Sequence, residues 1–271
     1  MRTIPFIKMD GLGNDFVIID CRKTKEVVSL TPEEITKIAN RRTGIGFDQL
    51  FILTNSDKAD VKMNIYNGDG SSAGACGNGS RCVASLIFEE DSSKKEVLIE
   101  APGNKILKAY NKEQISVNMG APDFSCKAIG LAEEKDTLNI SGLLPGMNAC
   151  AVSMGNPHAV FFVPEVDKIE LEKLGALVEN NPLFVNKTNV EFAQIVSSDK
   201  ILMRVWERGA GITQACGSGA CATLAAAYKK GLSSGKAQII MPGGTLVIEN
   251  KNGEILMAGP VNKAFSGQFY I

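Results

Sequence analysis

The sequence predicts an α+β protein made of two similar halves, each a curved, mostly antiparallel sheet wrapped around one central helix. Two observations lead to this prediction. The segment Ala-Cys-Gly-Asn-Gly at 75–79 recurs as Ala-Cys-Gly-Ser-Gly at 215–219, an offset of 215 − 75 = 140 residues. Residues on both flanks of the segment match at the same offset. Each half also combines many short alternating apolar runs with few helical segments. We expect the halves to span residues 1–121 and 122–271, with the final strand packing on either half.

The repeat extends well beyond the five-residue motif. At the same offset Gln49 aligns with Asn189, and apolar residues upstream and a Pro-Gly turn downstream also match: Met63, Ile65, Tyr66 and Pro102 with Met203, Val205, Trp206 and Pro242. So sustained a register indicates duplication of one ancestral unit. A cysteine is therefore expected at the matching place in each half.

Composition argues against several classes of protein. The 29 basic and 30 acidic residues give a net charge of −1, and no basic block suggests a nucleic-acid partner. No apolar run approaches the roughly 20 residues that span a bilayer, and the N-terminus lacks the apolar region of a signal peptide. We therefore expect a cytoplasmic protein without membrane contact. The seven cysteines, an odd number, favour reduced thiols over a disulfide framework.

In the first half, strands are predicted around a glycine-rich turn at 10–15. A helix should begin at the capping box of Thr31 and Glu34, with Pro32 in its first position, and run to about residue 41. The other segments follow from alternation or helical spacing: strands at 6–9, 16–20, 49–53, 61–66, 96–101, 105–109 and 115–119, and a helix at 81–90.

The second half repeats this plan. Two strands should bracket the segment Gly-Asn-Pro-His at 155–158, and two helices are predicted at 168–178 and 220–230. The remaining strands are predicted at 189–196, 201–206, 237–241, 246–249, 254–257 and 265–270.

Cys76 and Cys216 are each predicted at or just before the N-terminus of a helix. The unpaired N–H groups and the macrodipole favour an anion there, either the thiolate itself or a bound carboxylate. Lowering a thiol pKa from about 8.5 to about 7 needs roughly 2 kcal/mol, which is near the upper limit for a helix terminus. Further stabilisation of the thiolate would therefore be needed.

Two such thiols facing each other across a cleft suit proton transfer at an amino-acid α-carbon. One thiolate would remove the proton from one face while the thiol on the other face delivers a new one. The helix N-termini would hold the α-carboxylate and absorb the charge of the carbanion. This chemistry requires no pyridoxal lysine.

Other interpretations of the cysteines remain open. Zinc binding is disfavoured by spacings of five and four residues between Cys76 and Cys82 and between Cys216 and Cys221, and by a single histidine. Two facing thiols would also suit a disulfide or a redox sensor. Cys82 and Cys221 are interpreted as core residues, and the three cysteines without a motif as structural: Cys21, Cys126 and Cys150.

Two further motifs carry polar groups. His158, the single histidine, occupies the second-half equivalent of the glycine-rich turn that contains Asn14, which favours a place in the cleft over a purely structural role. Glu207 and Arg208 follow an apolar strand and could form a solvated ion pair with each other. Alternatively they would bind a zwitterionic amino-acid group, with Arg208 contacting its carboxylate and Glu207 its ammonium.

Over essentially its whole length the sequence resembles the diaminopimelate epimerase family. The most specific part is the pair of segments 67–71 and 76–81, and the segments 11–16, 155–158, 207–209 and 215–219 also fall where that family has its motifs. Asp10 and Ser72 depart from the residues common in the family, histidine and glutamate. The resemblance implies the fold of that family, a homodimer, and the cofactor-independent interconversion of LL- and meso-diaminopimelate by two bases.

The resemblance also implies roles for individual residues. Cys76 and Cys216 would be the acid/base pair, and His158 and Glu207 would tune the thiols. The remaining positions would bind substrate, with Glu207 also among them: Asn14, Gln49, Asn67, Gly77, Asn78, Asn156, Asn189, Arg208, Gly217 and Ser218. The rival enzymes, proline racemase and hydroxyproline epimerase, have no second amino-acid head to read, and the retained Asn67, Asn156, Asn189 and Arg208 therefore favour the longer substrate.

Overall fold

The computed structural model describes residues 2–24, 26–74 and 76–271. Ala75, which opens the first copy of the repeated motif, lies outside the described residues. The chain forms two compact units, one of residues up to Val117 together with Gly259–Ile271 and one of Asn118–Ala258. The division after Val117 precedes the one expected after residue 121, and the final strand lies in the first unit because it pairs with the first strand of the chain.

The regular elements are mainly short strands, with five α-helices among the described residues. The helices are α1 Pro32–Ala39, α2 Gly77–Glu90, α3 Cys126–Ile129, α4 Leu171–Glu179 and α5 Gly217–Lys229. The strands up to the middle of the chain are β1 Thr3–Gly11, β2 Asn14–Asp20, β3 Gln49–Thr54, β4 Val61–Asn67, β5 Glu96–Ala101, β6 Lys105–Tyr110, β7 Ser116–Asn118, β8 Ile140–Leu144 and β9 Met147–Ser153. The later strands are β10 Pro157–Phe162, β11 Asn189–Ser197, β12 Lys200–Glu207, β13 Gly211–Thr213, β14 Lys236–Met241, β15 Gly244–Lys251, β16 Glu254–Ala258 and β17 Asn262–Tyr270.

The two units repeat one strand plan. In the first, β2 and β3 are parallel, β3 and β4 antiparallel, β4 and β5 parallel, and β5 and β6 antiparallel. In the second, the same alternation runs through β10 and β11, β11 and β12, β12 and β14, and β14 and β15. The duplication inferred from the 140-residue offset therefore appears in the strand pairing of each unit.

One helix lies at the centre of each unit. Residues 78–88 of α2 and residues 219–227 of α5 are buried on every face, which marks a helix enclosed by the core rather than one on the surface. Within the first unit α2 contacts β1, β5 and β6, and within the second α5 contacts β9, β10, β11 and β14 to β16. This arrangement confirms the predicted fold class. No helix among the described ranges is long and apolar enough to cross a membrane.

The helix bounds differ from those predicted in the first turns. Both central helices begin earlier than expected, at Gly77 rather than residue 81 and at Gly217 rather than residue 220. Their glycine-rich first turns have low helix propensity, so helical spacing did not reveal them. The capping box of α1 is confirmed, since Thr31 and Glu34 bond reciprocally, although this helix ends at Ala39.

Gly79 in the first turn of α2 leaves no room for a side chain. An added Cβ would lie 2.1 Å from the ring of Phe51, which is itself stacked on Phe16 at a centroid distance of 4.9 Å. We expect Gly79→Ala to lower the free energy of unfolding by about 2 kcal/mol, because overpacking outweighs the gain of up to about 1 kcal/mol in helix propensity. Urea unfolding measures this loss. Gly74→Ala is the control, because a Cβ there meets nothing within 4 Å, and equal stabilities of the two variants would contradict the packing.

Candidate active site

A tight hairpin places Asn14 beside Cys76. The two-residue loop between β1 and β2 has positive φ at both positions, 61° at Leu12 and 79° at Gly13, as the preferred type of two-residue turn requires. Asn14 then starts β2, with its Oδ1 3.8 Å from the sulfur of Cys76 and its Nδ2 donating to Asp48 at 2.8 Å. The hairpin therefore fixes the side-chain amide of Asn14 against the thiol.

Cys76 is the N-cap of α2. Its sulfur accepts a hydrogen bond from the backbone N–H of Gly79 at 3.5 Å, and the residue is half-buried. The N–H groups of Gly77 and Asn78, in the same first turn, have no acceptor within the helix, as at any helix start. This helix terminus therefore presents donors to an anion next to a thiol.

Two more predicted residues of the first unit lie together on neighbouring strands. Gln49 of β3 donates from Nε2 to Oδ1 of Asn67 at the end of β4, at 3.1 Å. The buried oxygens Gln49 Oε1 and Asn78 Oδ1 have no hydrogen-bond partner among the described residues. Because buried polar atoms are normally satisfied, these two oxygens are candidates for contact with a polar ligand.

Cys216 caps α5 in the same way, but in a more enclosed environment. It is 5% exposed, and its sulfur lies 3.4 Å from the N–H of Gly219 and 3.5 Å from Oγ of Ser218. Burial raises the pKa of the Cys216 thiol well above its usual value, and negative charge on the neighbouring Glu207 or Glu191 raises it further, while the two hydrogen bonds oppose this rise. Burial and the neighbouring negative charge thus favour the protonated thiol form of Cys216.

His158 connects this site to a buried carboxyl group. Its Nδ1 lies 2.7 Å from Oε1 of Glu191 and its Nε2 3.1 Å from Oδ1 of Asn156, and both His158 and Glu191 are completely buried. The Asn156 amide continues to Oγ of Ser218 at 3.4 Å. The structure thus brings three predicted residues of the second unit together with Cys216, and adds Glu191 to them.

The segment that carries Glu207 and Arg208 is held from both sides. Asn189 accepts from the backbone N–H of Arg208 at 2.9 Å and donates to the carbonyl of Pro157 at 2.9 Å. Glu179 accepts from the N–H of Gly209 at 2.9 Å and from Nε1 of Trp206 at 2.7 Å. The Asn189 amide thus supports the backbone of this segment, while the exposed Arg208 guanidinium donates from Nη1 to the carbonyl of Asn186 at 3.0 Å.

The cysteines outside the repeated motif lie in the core. Cys82 and Cys221 are fully buried, and burial raises the pKa of Cys82 and of Cys150 to about 12. A pKa of about 12 leaves these two thiols protonated at neutral pH. Within residues 2–24, 26–74 and 76–271 no three His, Cys, Asp or Glu side chains are grouped as a metal ion would need.

Two functional candidates, Glu179 and Glu191, escaped the sequence analysis. The 140-residue offset that aligns Asn189 with Gln49 also aligns Glu191 with Phe51. The second half thus has a carboxyl group where the first half has a buried aromatic side chain. That mismatch was the available signal. Glu179 lies at the end of an ordinary amphipathic helix, where an acidic residue carries no such signal.

Burial of Glu191 also makes the stability depend on pH. Burial raises its pKa above the ordinary 4.5, His158 opposes that rise, and Glu207 adds to it. Between the ordinary pKa of Glu191 in the unfolded chain and its raised pKa in the folded protein, the folded protein therefore binds one more proton. The free energy of unfolding falls as pH rises through this range, by at most about 1.4 kcal/mol per pH unit. We expect Glu191→Gln to gain stability relative to wild type as pH rises from 5 to 8. Urea unfolding at several pH values tests this, and a difference that does not vary with pH would contradict it.

Comparison with known proteins gives a consistent result. A family model for diaminopimelate epimerase matches residues 6–125 and 150–264. The diaminopimelate epimerase of Rhodospirillum centenum is 46% identical over 268 residues, which cover 97% of this chain and 91% of the relative. That of Bacteroides thetaiotaomicron is 44% identical over 273 residues, covering 98% and 97%.

Among solved structures, a hydroxyproline epimerase from Agrobacterium vitis has a TM-score of 0.67 at 12% identity and covers 99% of this chain and 91% of its own. This likeness concerns the fold alone. The two-part match of the family model and the identity of 46% over nearly the whole length show that the chain belongs to the diaminopimelate epimerase family.

Proposed function

We propose that this protein interconverts LL- and meso-diaminopimelate by proton transfer at one α-carbon, without a cofactor, as a step of lysine biosynthesis. The observation that carries the proposal is the matched pair of cysteine N-caps, Cys76 on α2 and Cys216 on α5, in a chain of this family. In a two-base inversion, a base removes the proton from one face of the carbon and an acid delivers a proton to the other face. Two thiols in equivalent local settings supply both.

In the proposed mechanism the two thiols exchange roles with the direction of reaction. Cys216, for which the protonated form is favoured, delivers its proton in the direction in which Cys76 acts as base. Once it has delivered this proton, Cys216 is a thiolate and Cys76 is a thiol, which is the state from which the reverse reaction starts. The hydrogen bonds from Gly219 and Ser218 stabilise the Cys216 thiolate. His158 and Glu207 adjust this balance, Glu207 by opposing negative charge on the sulfur.

We assign the reacting end of the substrate to the two helix N-termini. The N–H groups of Gly77, Asn78, Gly217 and Ser218 would bind the α-carboxylate and stabilise negative charge as the carbanion forms. Asn14, Gln49, Asn67 and Asn156 would complete these contacts through their side-chain amides. The unsatisfied oxygens of Gln49 and Asn78 support this assignment, because a substrate ammonium is a donor.

We assign the distal amino-acid head to the segment after β12. Arg208 would bind the distal carboxylate and Glu207 the distal ammonium, with Asn189 holding the backbone of Arg208 in place. The guanidinium of Arg208 is exposed, and the half-buried carboxyl group of Glu207 accepts a hydrogen bond from Oγ1 of Thr213 at 2.5 Å.

We also propose that the protein acts as a homodimer in the cytoplasm. Phe265 and Tyr270 of β17 are 51% and 63% exposed, and large exposed aromatic side chains are typical of surfaces that another chain covers. A cytoplasmic location fits a mechanism that depends on two reduced thiols. Sedimentation of the purified protein tests the dimer, and a monomer at micromolar concentration would contradict it.

The activity is tested by incubating the reduced protein with LL-diaminopimelate and, separately, with L-proline. Chiral chromatography should show meso-diaminopimelate and no D-proline, with full activity in a chelator. Conversion of proline alone would favour the rival racemase. A stoichiometrically bound zinc ion, or a dithiol–disulfide cycle without epimerisation, would favour the zinc-binding or redox alternative.

A further inference from the structure

One row of hydrogen bonds joins the buried carboxyl group of Glu191 to the sulfur of Cys216. Glu191 Oε1 lies 2.7 Å from His158 Nδ1, and His158 Nε2 lies 3.1 Å from Asn156 Oδ1. Asn156 Nδ2 lies 3.4 Å from Ser218 Oγ, which lies 3.5 Å from Cys216 Sγ. Glu191, the first member of this row, has no part in the proposed proton transfer.

The direction of the inner bonds follows from the amide of Asn156. Its Nδ2 donates to Ser218, so its Oδ1 faces His158 and can only accept. His158 Nε2 must therefore carry a hydrogen. The Ser218 hydroxyl accepts from Asn156, so its own hydrogen is available to donate to Cys216. Each of these bonds points toward the sulfur.

One proton then remains between His158 Nδ1 and Glu191 Oε1. It belongs either to an imidazolium facing a carboxylate or to a neutral carboxylic acid facing a neutral imidazole. Both side chains are 0% exposed, and Glu191 Oε2 has no hydrogen-bond partner among the described residues. A carboxylate would leave that oxygen charged and unsatisfied, at a far higher cost than the oxygen of a neutral acid.

The neighbouring titratable groups favour the same state. Besides His158 on β10, they are Glu207 on β12 and Cys216 at the start of α5, and both of these become anions when they ionise. An added Cβ on Gly219 would lie 2.8 Å from Glu191 Oε1 and 3.3 Å from Cys216 Sγ, so the carboxyl oxygen and the sulfur are near neighbours. A negative Glu191 would oppose a thiolate at Cys216.

The first unit shows that packing does not require a carboxyl group at this position. Phe16 pairs with Gln49 as His158 pairs with Asn189, and Phe51 lies under Gly79 as Glu191 lies under Gly219. A stacked aromatic pair thus occupies the place that His158 and Glu191 hold in the second unit. The polar pair therefore serves a purpose other than packing.

We propose that Glu191 is a neutral carboxylic acid that donates its proton to Nδ1 of His158 and thereby sets the direction of a hydrogen-bond chain ending at Cys216. Glu191 is a positioning residue, since it acts through His158. Its acid hydrogen keeps the imidazole neutral with the hydrogen on Nε2, and this tautomer orients Asn156 and Ser218 so that a donor faces the sulfur. The catalytic role of this row of hydrogen bonds rests on the proposed function, in which Cys216 alternates between thiol and thiolate.

The test uses the fact that the chain contains one histidine. Nitrogen-15 NMR of protein labelled at histidine, with any affinity tag removed, reports on His158 alone. Between about pH 6 and 8 we expect a neutral ring with a hydrogen on Nε2 and none on Nδ1. An imidazolium, or a hydrogen on Nδ1, would overturn the proposal.

Two variants isolate the contribution of Glu191. Glu191→Gln keeps an N–H donor for Nδ1, so the histidine spectrum should keep the same tautomer, and the carbonyl-stretch band of a buried carboxylic acid should disappear from the infrared difference spectrum. Glu191→Met removes the donor at similar volume, so both tautomers should appear. A Met variant with the wild-type tautomer, or no carboxylic-acid band to lose, would overturn the proposal.

If Glu191→Met does not fold, the histidine tautomer of the wild type and the loss of the carboxylic-acid band in Glu191→Gln are sufficient to test the proposal. None of these measurements involves substrate. Failure of the diaminopimelate assay would therefore overturn the proposed function without changing the protonation result.

Discussion

Replacing Cys76 or Cys216 by serine is expected to abolish epimerisation while leaving each central helix capped. A serine hydroxyl accepts the same N–H bond from Gly79 or Gly219, so the helix start survives, whereas alanine would lose a cap worth about 1 kcal/mol. An alcohol is a far weaker acid than a thiol. Since general acid–base catalysis contributes about 10² to 10⁴, each variant should lose about 10²- to 10⁴-fold in kcat. Chiral chromatography measures the loss, and circular dichroism checks the fold.

A single-base reaction separates the two roles. An analogue with a halogen next to the α-carbon loses halide after one proton abstraction, as the carbon–hydrogen and carbon–halogen bonds break and a double bond forms. Each single variant should still catalyse this elimination with the thiol that remains. Cys126→Ala, which removes a buried thiol outside the motif, should keep full epimerisation. Epimerisation at the wild-type rate by either serine variant would contradict the two-base proposal.

Arg208→Ala is expected to lower kcat/KM for diaminopimelate by about 10- to 100-fold, chiefly through KM. Hydrogen bonds to a charged group contribute about 1.5 to 3 kcal/mol, and loss of the guanidinium leaves the distal carboxylate without its partner. The fold should not change, because the guanidinium is exposed and the backbone N–H that bonds to Asn189 remains. Initial rates over a range of substrate concentrations measure the effect.

Two comparisons sharpen this result. Lys200→Ala removes an exposed positive charge at the other end of β12 and should leave kcat/KM unchanged. Asn189→Ala should also lower stability, because it leaves the Pro157 carbonyl and the Arg208 N–H unpaired in a buried setting. An Arg208→Ala enzyme with wild-type kcat/KM would show that the distal carboxylate binds elsewhere.

The sequence predicted the fold class because both the duplication and the strand alternation can be recognised from the order of residues, without knowledge of tertiary contacts. The 140-residue offset identified Cys76 and Cys216 as equivalent, and the structure makes both of them helix N-caps. The first turns of those helices were missed, since glycine-rich segments do not show helical spacing. The facing of the two thiols across the halves stays a prediction, as do the substrate contacts.

The supporting residues of the second unit could not be predicted from local patterns. Glu191 and Glu179 act through partners that lie far away in sequence, His158 and Gly209. An acidic residue in a strand usually faces solvent, so only tertiary structure reveals that Glu191 is buried. Asn189, expected to touch substrate, uses its amide for the backbone of the neighbouring segment, which a single sequence does not disclose.

The decisive measurement is hydrogen isotope transfer in deuterated solvent at low conversion. With two thiols acting from opposite faces, the proton removed from the substrate stays on one sulfur, and the other sulfur, already exchanged with solvent, delivers deuterium. Mass spectrometry of LL-diaminopimelate epimerised in deuterium oxide should therefore find one deuterium at the inverted carbon of the product and almost none in the recovered substrate. Product that retains the original hydrogen would reveal a single base that moves one proton between faces, and would contradict the assignment of Cys76 and Cys216 as an acid/base pair.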